Sequence, residues 1–183
     1  MMKRIVPLVL LLLVFLSSLV SKPEVWIGAD FQADRDYSRS YGSNSYVMAL
    51  GPGLTVAVYP FDTVLVGLFA SADFLMPISY LSLHGDHRLD LQYGFSYVQL
   101  FGDQGFSVMV GMDHSLYQEA ESNERFPEEL TYRHWNTMGI AADIGYVLRG
   151  SEHSYFTIGV GGSFDWTNKT FKFAPHVGGG FVF

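Results

Sequence analysis

The sequence predicts an all-β fold: a closed, up-and-down antiparallel barrel of eight transmembrane strands, following an N-terminal signal peptide. Three observations predict it. Side chains alternate in character with a period of two through residues 22–183, as in strands, whose successive residues face opposite ways. The apolar parity of these runs carries no Asp, Glu, Lys or Arg, while the other parity collects carboxylates among Gly, Ser and Thr. Connections between runs are alternately long and short, as in a meander whose two ends differ.

The first segment is a leader. Lys3 and Arg4 precede an apolar run from Ile5 to Leu16 and a small, polar patch around Ser17 to Ser21, which is the layout of a secretory signal peptide over residues 1–21. The run is shorter than the ~20 residues a spanning helix needs. Residues 22–183 then form one barrel domain.

The elements follow in order. Val25, Ile27, Ala29, Phe31 and Ala33 give the first strand its apolar face, and Met48, Leu50, Leu54, Val56 and Val58 the second. Tyr59 to Asp62 is a tight turn. Val66, Leu68, Phe74 and Met76 mark the third strand, and Leu89, Leu91, Tyr93, Phe95 and Phe101 the fourth. Gly102 to Gly105 is a hairpin turn. Phe106, Val108, Val110, Met112 and Leu116 define the fifth strand, which an acidic loop, Glu119 to Leu130, separates from a sixth bearing Met138, Ile140, Ile144, Tyr146 and Leu148. Arg149 to His153 turns into a seventh with Phe156, Ile158, Val160 and Phe164. Phe171, Phe173, Val177, Phe181 and Phe183 complete the eighth. Long connections run around residues 35–44, 78–88 and 118–131.

The opposite face holds Asp30, Asp73, Asp90, Asp113, Asp143 and Asp165 with Arg133, Lys172 and His176. A soluble carrier barrel packs its large aliphatic side chains inward. Here the inward face of a small barrel has to be the one with small and polar residues, so lipid covers the apolar face and closure satisfies the backbone. Eight strands leave an interior that side chains just fill. The inward groups are therefore expected to form a polar plug, with Asp30, Asp113, Asp143 and His176 at one height and the others nearer the outer rim. Acids outnumber bases there, so some carboxylates are expected to be protonated, hydrated or bound to a cation. Two aromatic girdles are expected, one including Tyr37, Tyr41, Tyr80, Tyr132, Trp135 and Trp166, the other Trp26, Tyr59, Phe61, Tyr146, Tyr155 and Phe183, with any member of inward parity lying beyond the membrane slab.

On these residues the chain resembles the small eight-stranded outer-membrane barrels of Gram-negative-type bacteria, the OmpX and OmpA transmembrane-domain kind. The resemblance implies an integral outer-membrane protein, and its last strand, with Val177, Gly179, Phe181 and Phe183, resembles the C-terminal signal read by the barrel assembly machinery. The implied partners are outer-membrane lipid, a lipopolysaccharide-type surface and that machinery, for a monomeric barrel. The periplasmic peptidoglycan-binding domain that OmpA-type proteins add is not expected from this sequence, so the resemblance does not imply that anchoring role.

Chemistry is sparsely signalled. A net charge of −7, more negative still once Lys3 and Arg4 leave with the leader, argues against nucleic acid as a partner. The absence of cysteine excludes disulfides, thiol nucleophiles and Cys-based zinc sites. His84, Asp86 and His87 could ligate a metal, but in a flexible loop they read as a solvated turn. His114 and Ser115 are neighbours in a strand, point to opposite faces and do not form a nucleophile–base pair. The Asn168–Thr170 acceptor pattern carries little in a bacterium, and the glycines after Gly159 and Gly178 sit in strands with no helix following. No cofactor, metal or catalytic residue is implied. The expected role is structural or adhesive, carried by the long loops; a narrow conduit for small or apolar solutes, a lipid A-modifying enzyme and a soluble lipocalin-like carrier are the alternatives.

Overall fold

A computed structural model of the 183-residue chain describes residues 23–36, 47–60, 65–77, 87–122, 130–167 and 169–183. The leader, residues 1–21, lies outside them. Eight strands follow one another: β1 (Glu24–Asp36), β2 (Val47–Tyr59), β3 (Leu65–Pro77), β4 (His87–Phe101), β5 (Gln104–Ser122), β6 (Leu130–Ser151), β7 (Ser154–Asp165) and β8 (Thr170–Val182). Each pairs antiparallel with its sequence neighbours, and β1 pairs with β8 to close the barrel. There is no helix among the described residues. The shortest strand, β7, has 12 residues, enough to cross a hydrocarbon slab at the tilt such barrels adopt.

The alternation read from the sequence is realised inside out. Leu54 is 63% exposed and Phe95 69%, whereas inward Asp165 and Ser115 are fully buried. All apolar-parity anchors of β8 that are large, Phe171, Phe173, Val177, Phe181 and Phe183, face outward. The last residue pairs within the seam: Val25 and Phe183 exchange N–H···O bonds of 3.0 and 2.9 Å. Phe183 thereby finishes the closure of the sheet.

The interior is not polar throughout, as the sequence suggested it would be. Its short-turn half is an apolar cluster of Trp26, Ala57, Tyr59, Leu65, Phe69, Val98, Val147 and Val182, with Leu100, Met109 and Tyr155 against it. Trp26, Tyr59 and Tyr155 are therefore not girdle residues. Their parity turns them into the barrel, where Trp26 lies 5.5 Å from Tyr59 and 4.7 Å from Tyr155, centroid to centroid. Tyr146, Phe183 and Trp166 do face outward. Tyr37, Tyr41, Tyr80 and Phe61, and the side chains of Tyr132 and Trp135, lie outside the described residues.

Besides a register shift between Arg149 and Ser151 in the β6–β7 ladder, pairing lapses in two places. β1–β8 pairing lapses between Gln32–His176 and Arg35–Phe173, and β2–β3 pairing lapses between Leu50–Met76 and Gly53–Asp73. The first gap holds Pro175 and the second Pro52, and a proline has no N–H to give. The β1–β2 ladder between the two gaps is continuous.

The short turns are tight. Gly102 takes φ 71°, open to a glycine at no steric cost, in the turn from β4 to β5.

Candidate functional site

The polar half of the interior is built in two clusters. Toward the long-loop end, Arg88 from β4 bonds Asp34 of β1 and Asp90 of its own strand, the latter at 2.8 Å. Lys172 from β8 reaches Asp113 at 3.0 Å and Asp90 at 3.4 Å, and donates to the Ser115 hydroxyl. Asp113 is 1% exposed. Two cations thus hold three carboxylates from β1, β4 and β5, and the bond lengths and burial make this a closed structural tie. The Tyr117 ring adds a face to both cations, 5.7 Å from Arg88 and 5.9 Å from Lys172.

Deeper in the barrel, His176 of β8 meets Asp143 of β6, Nε2 to Oδ2 at 2.7 Å. The bond spans β7, which is possible because β7 offers Gly159 and Gly161 there. A Cβ on Gly159 would stand 2.6 Å from His176 Nε2. Asp30 of β1 and Asp73 of β3 belong to the same level. Their Oδ1 atoms lie 2.5 and 2.1 Å from where a Cβ on Gly53 would be.

Two of the interior cavities border these clusters. One of about 70 Å³ is bounded by Trp26, Tyr59, Val98, Met109, Val147 and Tyr155; the other, of about 50 Å³, by Gln32, Asp34, Asp73, Asp90 and Lys172 among others. Asp30, Thr55, Asp143 and His176 line both. At the short-turn end, Glu24 receives Arg149 at 3.1 Å and the Trp26 indole N–H at 2.9 Å. Tyr59 and Ser96 hydroxyls share a 2.7 Å bond.

The structure thus brings Asp90, Asp113 and Lys172 into one cluster and Asp30, Asp73, Asp143 and His176 into another. Asp113 joins the outer cluster and Asp73 the inner, the reverse of the heights expected, because strand tilt shifts equal residue counts to different levels. Asp165 stands apart at the outer end, accepting the Thr167 N–H at 2.7 Å. The side chain of Arg133 lies outside the described residues. Sequence reasoning missed Asp34 and Arg88. It placed Arg88 in a loop, although it sits two residues before Asp90, and Asp34 two after Gln32, in each case on the inward parity.

Ser115 and His114 do lie on opposite faces. Ser115 is enclosed with Lys172 and Asp113. His84 and Asp86 are outside the described residues, and His87 begins β4, 5.4 Å from the Phe74 ring. Asn168 is also outside them.

The acidic segment was expected as a loop from Glu119 to Leu130. Much of it is strand: β5 runs to Ser122 and β6 begins at Leu130, paired from Gln118–His134 to Ser122–Leu130. Neighbouring strands stop earlier. β4 meets β5 last at His87–Gln118, and β7 meets β6 last at Gly139–Asp165. Among the described residues, then, no strand pairs with Leu130–Thr137 on the β7 side. At about 3.4 Å per residue, roughly 25 Å of β6 runs past the last β7 pair with no strand paired on that edge among the described residues.

No family model and no curated protein sequence matches the chain. Solved structures do. The Neisserial surface protein A superposes with a TM-score of 0.63 at 9% identity, covering 86% of this chain and 96% of that one. Its fold is that of the small bacterial outer-membrane barrels. Ail, the attachment invasion locus protein of Yersinia pestis, gives a TM-score of 0.59 at 13% identity over 88% of this chain and 99% of its own, and has a second structure with the heparin analogue sucrose octasulfate. OprG from Pseudomonas aeruginosa gives 0.55 at 16% identity, covering 89% and 96%.

Proposed function

We propose that the protein is an integral barrel of a bacterial outer membrane that meets an extracellular partner through the overhanging β5–β6 hairpin. The observation that carries this reading is the β6 edge above the last β7 pairing, which no strand joins among the described residues. An unpaired strand edge is a template for an added strand, which natural proteins otherwise cover or blunt. Lipid as the outer solvent is supported by the uncharged, exposed apolar face; the outer membrane, by the fold shared with three proteins of that membrane class and by the leader. The role of Val177, Gly179, Phe181 and Phe183 in assembly belongs to the same reading.

Ail, which is named for attachment, supports a surface role by analogy of fold. Its sulfated ligand does not transfer. Glu119, Glu121, Glu124, Glu128 and Glu129 fall close together in this stretch of the sequence, and a polyanion would be repelled. An uncharged or basic extended segment fits the edge better.

The test compares cells displaying the whole barrel with cells in which residues 119–134 are replaced by a tight turn. Both barrels should show the cold-versus-boiled gel shift of a closed barrel, and only the whole one should promote attachment to protein-coated surfaces. Equal attachment by both would refute the adhesive role. Solute flux is the second reading, favoured only by the interior cavities, and the tie around Arg88 and Lys172 stands across its path.

A further inference from the structure

Charge is unevenly matched along the barrel axis. Arg88 and Lys172 are engaged by Asp34, Asp90 and Asp113, and His176 by Asp143. Asp30 and Asp73 are left with no ion-pair partner among the described residues. Asp73 is 5% exposed, lines the polar cavity and receives no hydrogen bond from the described residues. The Oδ1 of Asp30 is likewise buried and accepts none. The two oxygens converge over Gly53, the one inward position of β2 at this level where any side chain would collide with them.

Two carboxylates so close, with Asp73 buried, do not both stay ionised without a counter-charge. We propose that Asp30 and Asp73 are the carboxylate ligands of a partly hydrated divalent cation, Ca²⁺ or Mg²⁺, held inside the barrel. Two negative charges match one such ion. Its ligands are hard oxygens, and the carboxylates are joined on the cavity wall by Gln32, Thr55, Ser71 and Gln92. No three His, Cys, Asp or Glu side chains among the described residues converge as a metal cluster, so amide and hydroxyl oxygens and water complete the shell. The cavity of about 50 Å³ has room for the ion with several waters. His176 does not ligate it, since its Nε2 is held by Asp143.

The absence of a side chain at residue 53 is what the site requires. Gly53 follows Gly51 and Pro52 in β2 and pairs with Asp30 on one side and Asp73 on the other, so β2 puts no side chain between the two acids.

The experiment uses the whole barrel refolded into phosphatidylcholine vesicles in the presence of CaCl₂ or of a chelator. Ca²⁺ should raise the urea midpoint of unfolding in the unaltered protein. In Asp30→Asn/Asp73→Asn the chelator-treated midpoint should rise, because repulsion is removed, and the Ca²⁺ response should vanish. Comparing the two proteins isolates this site from the acidic outer hairpin, which is the same in both. An equal Ca²⁺ response in both proteins, or none in either, would overturn the proposal. As a second measurement independent of any variant's folding, Tb³⁺ should give luminescence sensitised through Trp26 and Tyr59, which line the adjoining cavity with Asp30, and Ca²⁺ should displace it. Absence of sensitised emission from the unaltered barrel would also overturn it.

Discussion

His176 and Asp143 join β8 to β6 across a strand that contributes no side chain between them, Nε2 to Oδ2 at 2.7 Å. The bond depends on what β7 omits. A Cβ on Gly159 would meet His176 Nε2 at 2.6 Å and the Ile144 carbonyl oxygen at 2.7 Å, while one on Gly161 would meet Asp143 Oδ2 at 3.0 Å and backbone only at 3.7 Å. Gly159→Ala should therefore destabilise by about 1–3 kcal/mol, as overpacking does, and Gly161→Ala by less. Urea titration of both variants in lipid vesicles reads the order directly; a larger loss for Gly161→Ala would contradict the geometry.

Removing Lys172 leaves Asp113 with no ion-pair partner among the described residues and Asp90 with Arg88 alone. Lys172→Met should cost about 3–5 kcal/mol, the usual penalty for orphaning a buried charge. Adding Asp113→Asn to Lys172→Met should recover part of that loss. The coupling is measured by a double-mutant cycle on unfolding midpoints, and strictly additive effects would show that the Lys172–Asp113 contact of 3.0 Å carries no energy.

The apolar face makes a depth-dependent prediction. Phe95 lies midway along β4 and Phe101 at its short-turn end, and both face outward. Phe95→Lys should cost about 2–4 kcal/mol in lipid and Phe101→Lys no more than about 1 kcal/mol. Equal costs would mean that the slab is centred elsewhere on the barrel.

Indole environment separates the inner aromatic cluster from a girdle. With Trp135 replaced by Phe, proteins keeping only Trp26 or only Trp166 should differ sharply. Trp166, 45% exposed on the outer face, should be quenched by brominated lipid, whereas Trp26, 4% exposed inside, should resist both brominated lipid and aqueous acrylamide. Strong lipid quenching of Trp26 would place it back on the outer surface.

Strand number, closure and the facing of each run were legible in the sequence because a period of two is set by backbone geometry and needs no partner. Asp30, Asp143 and Lys172 could be assigned inward for the same reason. Heights could not. They depend on strand tilt and inter-strand register, which put Lys172 beside Asp113 rather than beside Asp165. Strand ends were equally hard to read, since polar residues such as Arg88, Asp34 and Glu119 look like loop until a neighbouring strand is seen to pair with them. The aromatic cluster at Trp26 was misjudged through residue type: amphipathic rings suit a membrane interface, but parity had already turned Trp26 and Tyr59 inward.

The two gaps at Pro52 and Pro175 border the same pair of strands, one on each flank. Between them, β1 and β2 are stitched together along their whole length while being basted more loosely to the wall on either side. Under tension the cylinder should therefore part first along these two seams, with β1 and β2 leaving together as a paired flap.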